Sequence, residues 1–176
     1  TTGDGWHDAK NIHRYVDRFL GSTGHKGPGN YFKEVRNTEF WRNGERFLLP
    51  TDGSYKTDLI TDFAVDYVRE AAQGERPFFL YVVEFAPHWP LHAKPEDMSK
   101  YVDRYRKLGW DAARTARHRR MIEQGVMAED VKLSPRDKRV PPWAEAKQQV
   151  WEAQRGAAYA GQVDSLDQSV GRIFAA

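Results

Sequence analysis

Cysteine is absent from the 176 residues, which excludes a disulfide framework, a thiolate nucleophile and any cysteine-ligated metal. A charge excess of either sign is missing too. The 27 Lys and Arg stand against 25 Asp and Glu, a formal charge of +2, and that balance gives no reason to expect nucleic acid as a partner. No apolar run approaches the length of a membrane span. Internal repeats and low-complexity tracts are lacking, and the chain opens at TTGDGWHD with neither methionine nor a charged-then-apolar leader. It closes at GRIFAA inside a helical pattern, so both ends read as cut. What is present is an ordinary apolar fraction and a high aromatic one. Chains near this length bury about 70% of the surface their unfolded form exposes, so one soluble globular domain, or most of one, is the expectation.

The organisation follows from periodicity and punctuation. Residues 1–53 show no long period and read as loop-rich, with a short strand pair between Glu34 and Phe47 turning at Asn43-Gly44. In residues 54–94, Leu59, Ile60, Phe63, Ala64, Tyr67 and Val68 fall at helical spacing from Thr57 to Ala72, with Thr57 as N-cap and Gly74 beyond the last turn. Then FFLYVVEF, Phe78 to Phe85, reads as a central parallel strand buried on both faces. Residues 95–143 predict a helical insert: Glu96–Lys107 closed at Gly109, Asp111–Gln124 closed at Gly125, then the proline-punctuated loop LSPRDKRVPPW. Residues 144–176 predict a long helix with one apolar stripe, Tyr159, Val163, Leu166, Val170 and Ile173. Helix, buried strand, then helices implies an α/β architecture, a mostly parallel sheet flanked by helices.

In such sheets reactive groups gather where strands end. APHWPLH stands at that edge. Pro87 and Pro90 restrict the backbone around His88 and Trp89, and a stiffened loop suits a positioned imidazole that contacts an anionic oxygen or protonates a leaving group. The competing reading of His88 is a turn histidine bonded to a backbone carbonyl. His92 reads as structural or surface, Trp89 as packing or as a pocket wall, and His13, His25 and His118 as surface residues, none sharing a metal-ligand spacing. The ARTARHRR helix carries guanidiniums that would neutralise phosphates, but Glu123, Glu129 and Asp130 follow, and the face reads as solvated.

The blocks YKTDLITDFAVDYV, RPFFLYVVEFAPHWPLHA, YVDRYRKLGWDAARTARHRRMIEQGVM, LSPRDKRVPPW and AAYAGQVDSLDQSVGRI together resemble the middle of an arylsulfatase of the type I sulfatase family, from about Tyr55 onward. RYVDRFLGST is similar to a segment that follows the family's early lysine and histidine motif. The resemblance implies an alkaline-phosphatase-like α/β fold and hydrolysis of a sulfate ester, small-molecule or glycan. It implies a formylglycine nucleophile made from Cys/Ser-x-Pro-x-Arg and a calcium or magnesium ion. It also implies that the histidine of Ala-Pro-His-Trp-Pro, here His88, contacts the sulfate and aids departure of the leaving oxygen. His7, in GDGWHDAK, is similar to the end of the family's Gly-Lys-Trp-His, with Gly5 in the lysine's place, and is a second candidate catalytic residue against a plain exposed histidine.

The rest of that machinery has no counterpart in the chain. No serine begins Ser-x-Pro-x-Arg, and the Asp-Asp and Asp-Asn pairs that hold the family's metal do not occur. The expectation is therefore a sulfatase portion whose partner is the remainder of its own chain, with no metal or cofactor held by these residues and no turnover alone. Two other readings stay open: a non-catalytic sulfatase-derived binding module, and a phosphate mono- or diester hydrolase of the same superfamily.

Overall fold

The computed structural model describes residues 15–22, 31–32, 40–48 and 52–176. Those up to and including Lys94 form one compact unit with Gln162–Ala176, and Pro95–Gly161 forms a second.

The first unit begins with three short strands, β1 (Leu20–Ser22), β2 (Phe40–Arg42) and β3 (Glu45–Phe47), in the order β1-β2-β3. Both pairings are antiparallel, with Leu20 opposite Arg42 and Arg42 opposite Glu45. The Asn43-Gly44 turn forms as predicted: both residues have positive φ, 51° and 90°, which is the backbone a two-residue hairpin loop needs. Asn43 also ties the hairpin to β1, its Oδ1 accepting from the Phe19 N–H and its own N–H donating to the Phe19 carbonyl, each at 2.9 Å. The part of the expected strand pair from residue 34 to 39 lies outside the described residues.

Helix α1 (Lys56–Ala71) confirms the helix read from Thr57, but Tyr55 takes the N-cap position and no side chain caps it. Its buried line is Lys56, Thr57, Thr61, Ala64 and Val65, which is rotated from the expected stripe of larger residues. Helix α3 (Gln149–Phe174) behaves the same way. Tyr159, Val163 and Val170 are exposed, while Gln162, Ser165 and Ser169 are buried. The physical reason is close approach: Thr61 Oγ1 lies 2.7 Å from Ser169 Oγ, a separation that small hydroxyl side chains permit and a Leu or Tyr would not. The core beside this seam is Tyr31, Tyr55 and Ala86, with Phe32, Phe85 and Leu166 packed against it. Tyr31 and Tyr55 stack at 5.6 Å.

Phe78–Phe85 corrects a sequence expectation. The run is not buried on both faces: Phe79, Tyr81 and Val83 are 85%, 66% and 59% exposed. Leu80, Val82 and Glu84 between them are partly buried, the period of two that an extended backbone gives. Among the described residues no strand pairs with the run, so nothing covers its outer face. The sheet that these residues do form is antiparallel rather than parallel.

The second unit is built on helix α2 (Pro95–Glu123), interrupted at Gly109, where φ is 64° and ψ 176°. The sequence reading of two helices meeting at this glycine holds. Trp143, in a single 3-10 turn (Trp143–Glu145), fills the space beside Gly109 and meets Trp110 edge to face at 4.7 Å. Asp111 accepts from the Trp143 N–H at 2.8 Å and from Arg136 at 2.9 Å. Those two contacts, the backbone bond first, hold its carboxyl below the usual range. Gly125 ends α2 in a left-handed residue, its N–H reaching the Ile122 carbonyl and the Val126 N–H reaching Met121, both at 2.9 Å. Among the described residues no helix is long and apolar enough to cross a membrane.

Candidate active site

APHWPLH leaves the Phe78–Phe85 run as an exposed turn. The Ala86-Pro87 and Trp89-Pro90 peptide bonds are both cis, and the His88 N–H donates to the Phe85 carbonyl at 2.9 Å. The turn is anchored through the His88 carbonyl, which accepts from Tyr31 Oη at 2.9 Å and from Gln162 Nε2 at 3.4 Å. Gln162 and Tyr31 are fully buried, so the anchor belongs to the core. Desolvation pushes the Tyr31 phenol up to about 12, and the same cause raises that of Tyr55. Both therefore remain neutral donors over the whole physiological range. Tyr55 Oη serves the far end of the turn, donating to the His92 carbonyl at 2.9 Å.

The ring of His88 is exposed and does not turn into the core. Its Nδ1 lies 2.5 Å from the Trp89 carbonyl, and a carbonyl only accepts, so Nδ1 must carry the proton. That fixes the tautomer: Nε2 has the lone pair when the ring is neutral, and bears a second N–H when the ring is charged. The contact matches the turn-histidine reading of His88, one ring nitrogen bonding a backbone carbonyl, in a residue that is exposed. Trp89 does not pack into the core: it is 74% exposed and stacks on the His88 ring at 6.0 Å.

His92 has the structural role the sequence suggests. Its Nδ1 faces the Tyr31 N–H at 3.4 Å, and its ring meets Tyr31 edge-on at 6.3 Å. His118 bonds the Val131 carbonyl at 2.8 Å within the second unit. His7, His13 and His25 lie outside the described residues. Among the described residues no group of three or more His, Asp and Glu side chains is placed to hold a metal ion. An open hollow of about 480 Å³ along Ala146–Trp151 and Gln154 contains no histidine or carboxylate.

Sequence reasoning missed the residues that support the turn. Tyr31 sits in an irregular stretch, and Gln162 is masked by the more conspicuous apolar stripe of α3. Glu84 had a visible signal, a lone carboxylate in an eight-residue apolar run. In the structure it is partly buried, with its buried Oε2 lacking any hydrogen-bond partner among the described residues and Oε1 3.3 Å from Ser169 Oγ.

Comparison with known proteins gives one consistent picture. The sulfatase family model matches residues 3–176. An uncharacterised sulfatase of Schizosaccharomyces pombe is 29% identical over 123 residues, 68% of this chain and 22% of that protein. An uncharacterised sulfatase of Escherichia coli is 28% identical over 109 residues, covering 55% and 22%. An arylsulfatase of Klebsiella aerogenes is 26% identical over 143 residues, covering 80% and 30%. The chain thus spans less than a third of the length of these relatives.

Proposed function

Because the chain belongs to the sulfatase family, we propose that the complete protein hydrolyses an organic sulfate ester, aryl or glycan, and that His88 is the catalytic group these residues contribute. The observation that carries the reading is the state of that imidazole: exposed at the end of the Phe78–Phe85 run, on a turn anchored by Tyr31 and Gln162, with Nδ1 committed to the Trp89 carbonyl. In its charged form the Nε2–H would donate to a sulfate oxygen, and the same proton would pass to the ester oxygen as the S–O bond breaks. After departure the neutral ring would regain a proton from water. His7 is the second candidate, on its likeness to a family motif.

The described residues offer no set of side chains that fits the metal the family implies, and the sequence offers no residue that fits its formylglycine. No metal-binding group assembles among the described residues, and the sequence has neither cysteine nor Ser-x-Pro-x-Arg. The chemistry assigned here is accordingly that of His88, and the remainder of the chain would supply the nucleophile, the metal site and the neighbouring strands. In the complete protein the Phe78–Phe85 run would be an interior strand of a mostly parallel sheet, which would cover Phe79, Tyr81 and Val83.

The test is His88→Ala in the complete protein, with turnover and KM measured on an aryl sulfate. Turnover should fall by about 10²–10⁴-fold, the usual contribution of a positioned acid, with a much smaller change in KM. Unchanged turnover would refute the assignment. The 176 residues alone should show no turnover with aryl sulfate and calcium.

A further inference from the structure

Glu84 is the only acid in the Phe78–Phe85 run, four residues before His88, and the mechanism above makes no use of it. Its carboxyl enters the seam between α1 and α3. There a line of oxygens runs from Glu84 Oε1 to Ser169 Oγ at 3.3 Å, on to Thr61 Oγ1 at 2.7 Å, and on to the Thr57 carbonyl at 2.6 Å. Thr61, Thr57 and Ser169 are all buried.

Counting protons along this line gives two arrangements. Each hydroxyl has one hydrogen to donate, and the Thr57 carbonyl has none. If Glu84 is ionised, Thr61 must donate to Ser169 and Ser169 to the carboxylate, which leaves the charge with one long hydrogen bond and a bare buried Oε2. If Glu84 is protonated, every hydrogen points the other way: Glu84 to Ser169, Ser169 to Thr61, and Thr61 to the Thr57 carbonyl at its short 2.6 Å. Each hydroxyl donates once in either arrangement and Oε2 stays bare in both, but the second keeps the short bond from Thr61 to the Thr57 carbonyl and leaves no buried charge.

The surroundings agree. On α1 the anion Asp58 acts on Glu84, bound to Lys94 at 3.1 Å and 4.0 Å from Arg172 of α3, and the buried Lys56 has its ammonium 5.9 Å from the centre of the Phe40 ring. Arg172 is otherwise engaged with Asp62, and a further titratable neighbour is the neutral phenol of Tyr31. No cation is bonded to Glu84 among the described residues. Burial, and after it Asp58, pushes the Glu84 carboxyl up to about 7, against the Ser169 contact that would lower it.

We propose that Glu84 is a positioning residue, held as a neutral carboxylic acid that fastens the extended run leading to His88 onto α1 and α3, and that its ionisation loosens the His88 turn. Its relevance to catalysis depends on the function proposed for His88; the fastening itself does not.

The test uses the complete protein. Infrared spectra should show a neutral carboxyl band that persists at about pH 6, disappears by about pH 9 and is missing from Glu84→Gln. In parallel, hydrogen exchange of the His88 amide, corrected for intrinsic base catalysis, should lose roughly tenfold in protection between about pH 6 and pH 8. In Glu84→Gln that protection should stay level. Should Glu84→Gln not fold, Ser169→Ala removes the acceptor and should show at about pH 6 the weak protection that the unaltered chain shows at high pH. No titrating band, or equal pH dependence with and without Glu84, would overturn the proposal. The two ideas fail separately: a fully active His88→Ala enzyme removes the function and leaves the pH-linked fastening, whereas flat exchange does the reverse.

Discussion

Gly109→Ala should destabilise the Pro95–Gly161 unit far more than Gly125→Ala, although both glycines have positive φ. At Gly109 two costs combine. The pairing of φ 64° with ψ 176° is a backbone conformation reserved for glycine, and imposing it on alanine costs about 1–3 kcal/mol. The new methyl would also stand 2.1 Å from Trp143 Cγ and 2.4 Å from Cδ1 and Cδ2. Trp143 has little room to yield, since its ring meets Trp110 and its N–H is bonded to Asp111. Overpacking of that kind costs about 1–3 kcal/mol, which brings the total to about 4 kcal/mol. At Gly125 φ is 69° and nothing lies within 4 Å of the added carbon, so only the left-handed strain remains, about 1 kcal/mol. Denaturant unfolding followed by circular dichroism, with Trp143 and Trp110 as fluorescent reporters, measures both. Equal losses for the two variants would refute the steric half of the reasoning, and no loss at Gly109 would refute all of it.

Stability should depend on pH through Glu84. Its carboxyl has a folded pKa of about 7, above its ordinary value, so the folded state holds a proton that the unfolded chain releases between about pH 4.5 and 7. Stability should therefore decline as pH rises through that interval, by up to about 3 kcal/mol, and then level off; denaturant midpoints across a pH series check this, and Glu84→Gln should remove the decline. Tyr31→Phe deletes the 2.9 Å bond to the His88 carbonyl and should cost about 1 kcal/mol, with faster exchange at His88 than at residues of α2. An unchanged His88 amide in that variant would show that Gln162 alone anchors the turn.

How much of this was readable in the sequence depended on whether the cause was local. The Asn43-Gly44 turn, the break at Gly109 and the stop at Gly125 are local, because each needs a positive φ that glycine or asparagine supplies, and each was found. The family was legible from APHWPLH and the blocks around it. The buried faces of α1 and α3 were not. Periodicity favours Phe63, Tyr67, Tyr159 and Val163, but two helices that approach to hydroxyl contact must turn threonine and serine toward each other. The cover of Phe78–Phe85 was misjudged for a related reason: apolar composition shows that a strand can be buried, and only neighbouring strands can bury it. His88 was identified by chemistry, whereas its fixed tautomer and the Tyr31–Gln162 anchor required coordinates.

The bare Phe78–Phe85 run has a practical consequence. A stretch whose N–H and C=O groups meet no neighbouring strand among the described residues, and whose outer face shows Phe79, Tyr81 and Val83, is a template for edge-to-edge growth. Copies of these 176 residues concentrated together would tend to zip along that edge into ribbons. Dilution, or a lysine on the outward face, would hold them apart.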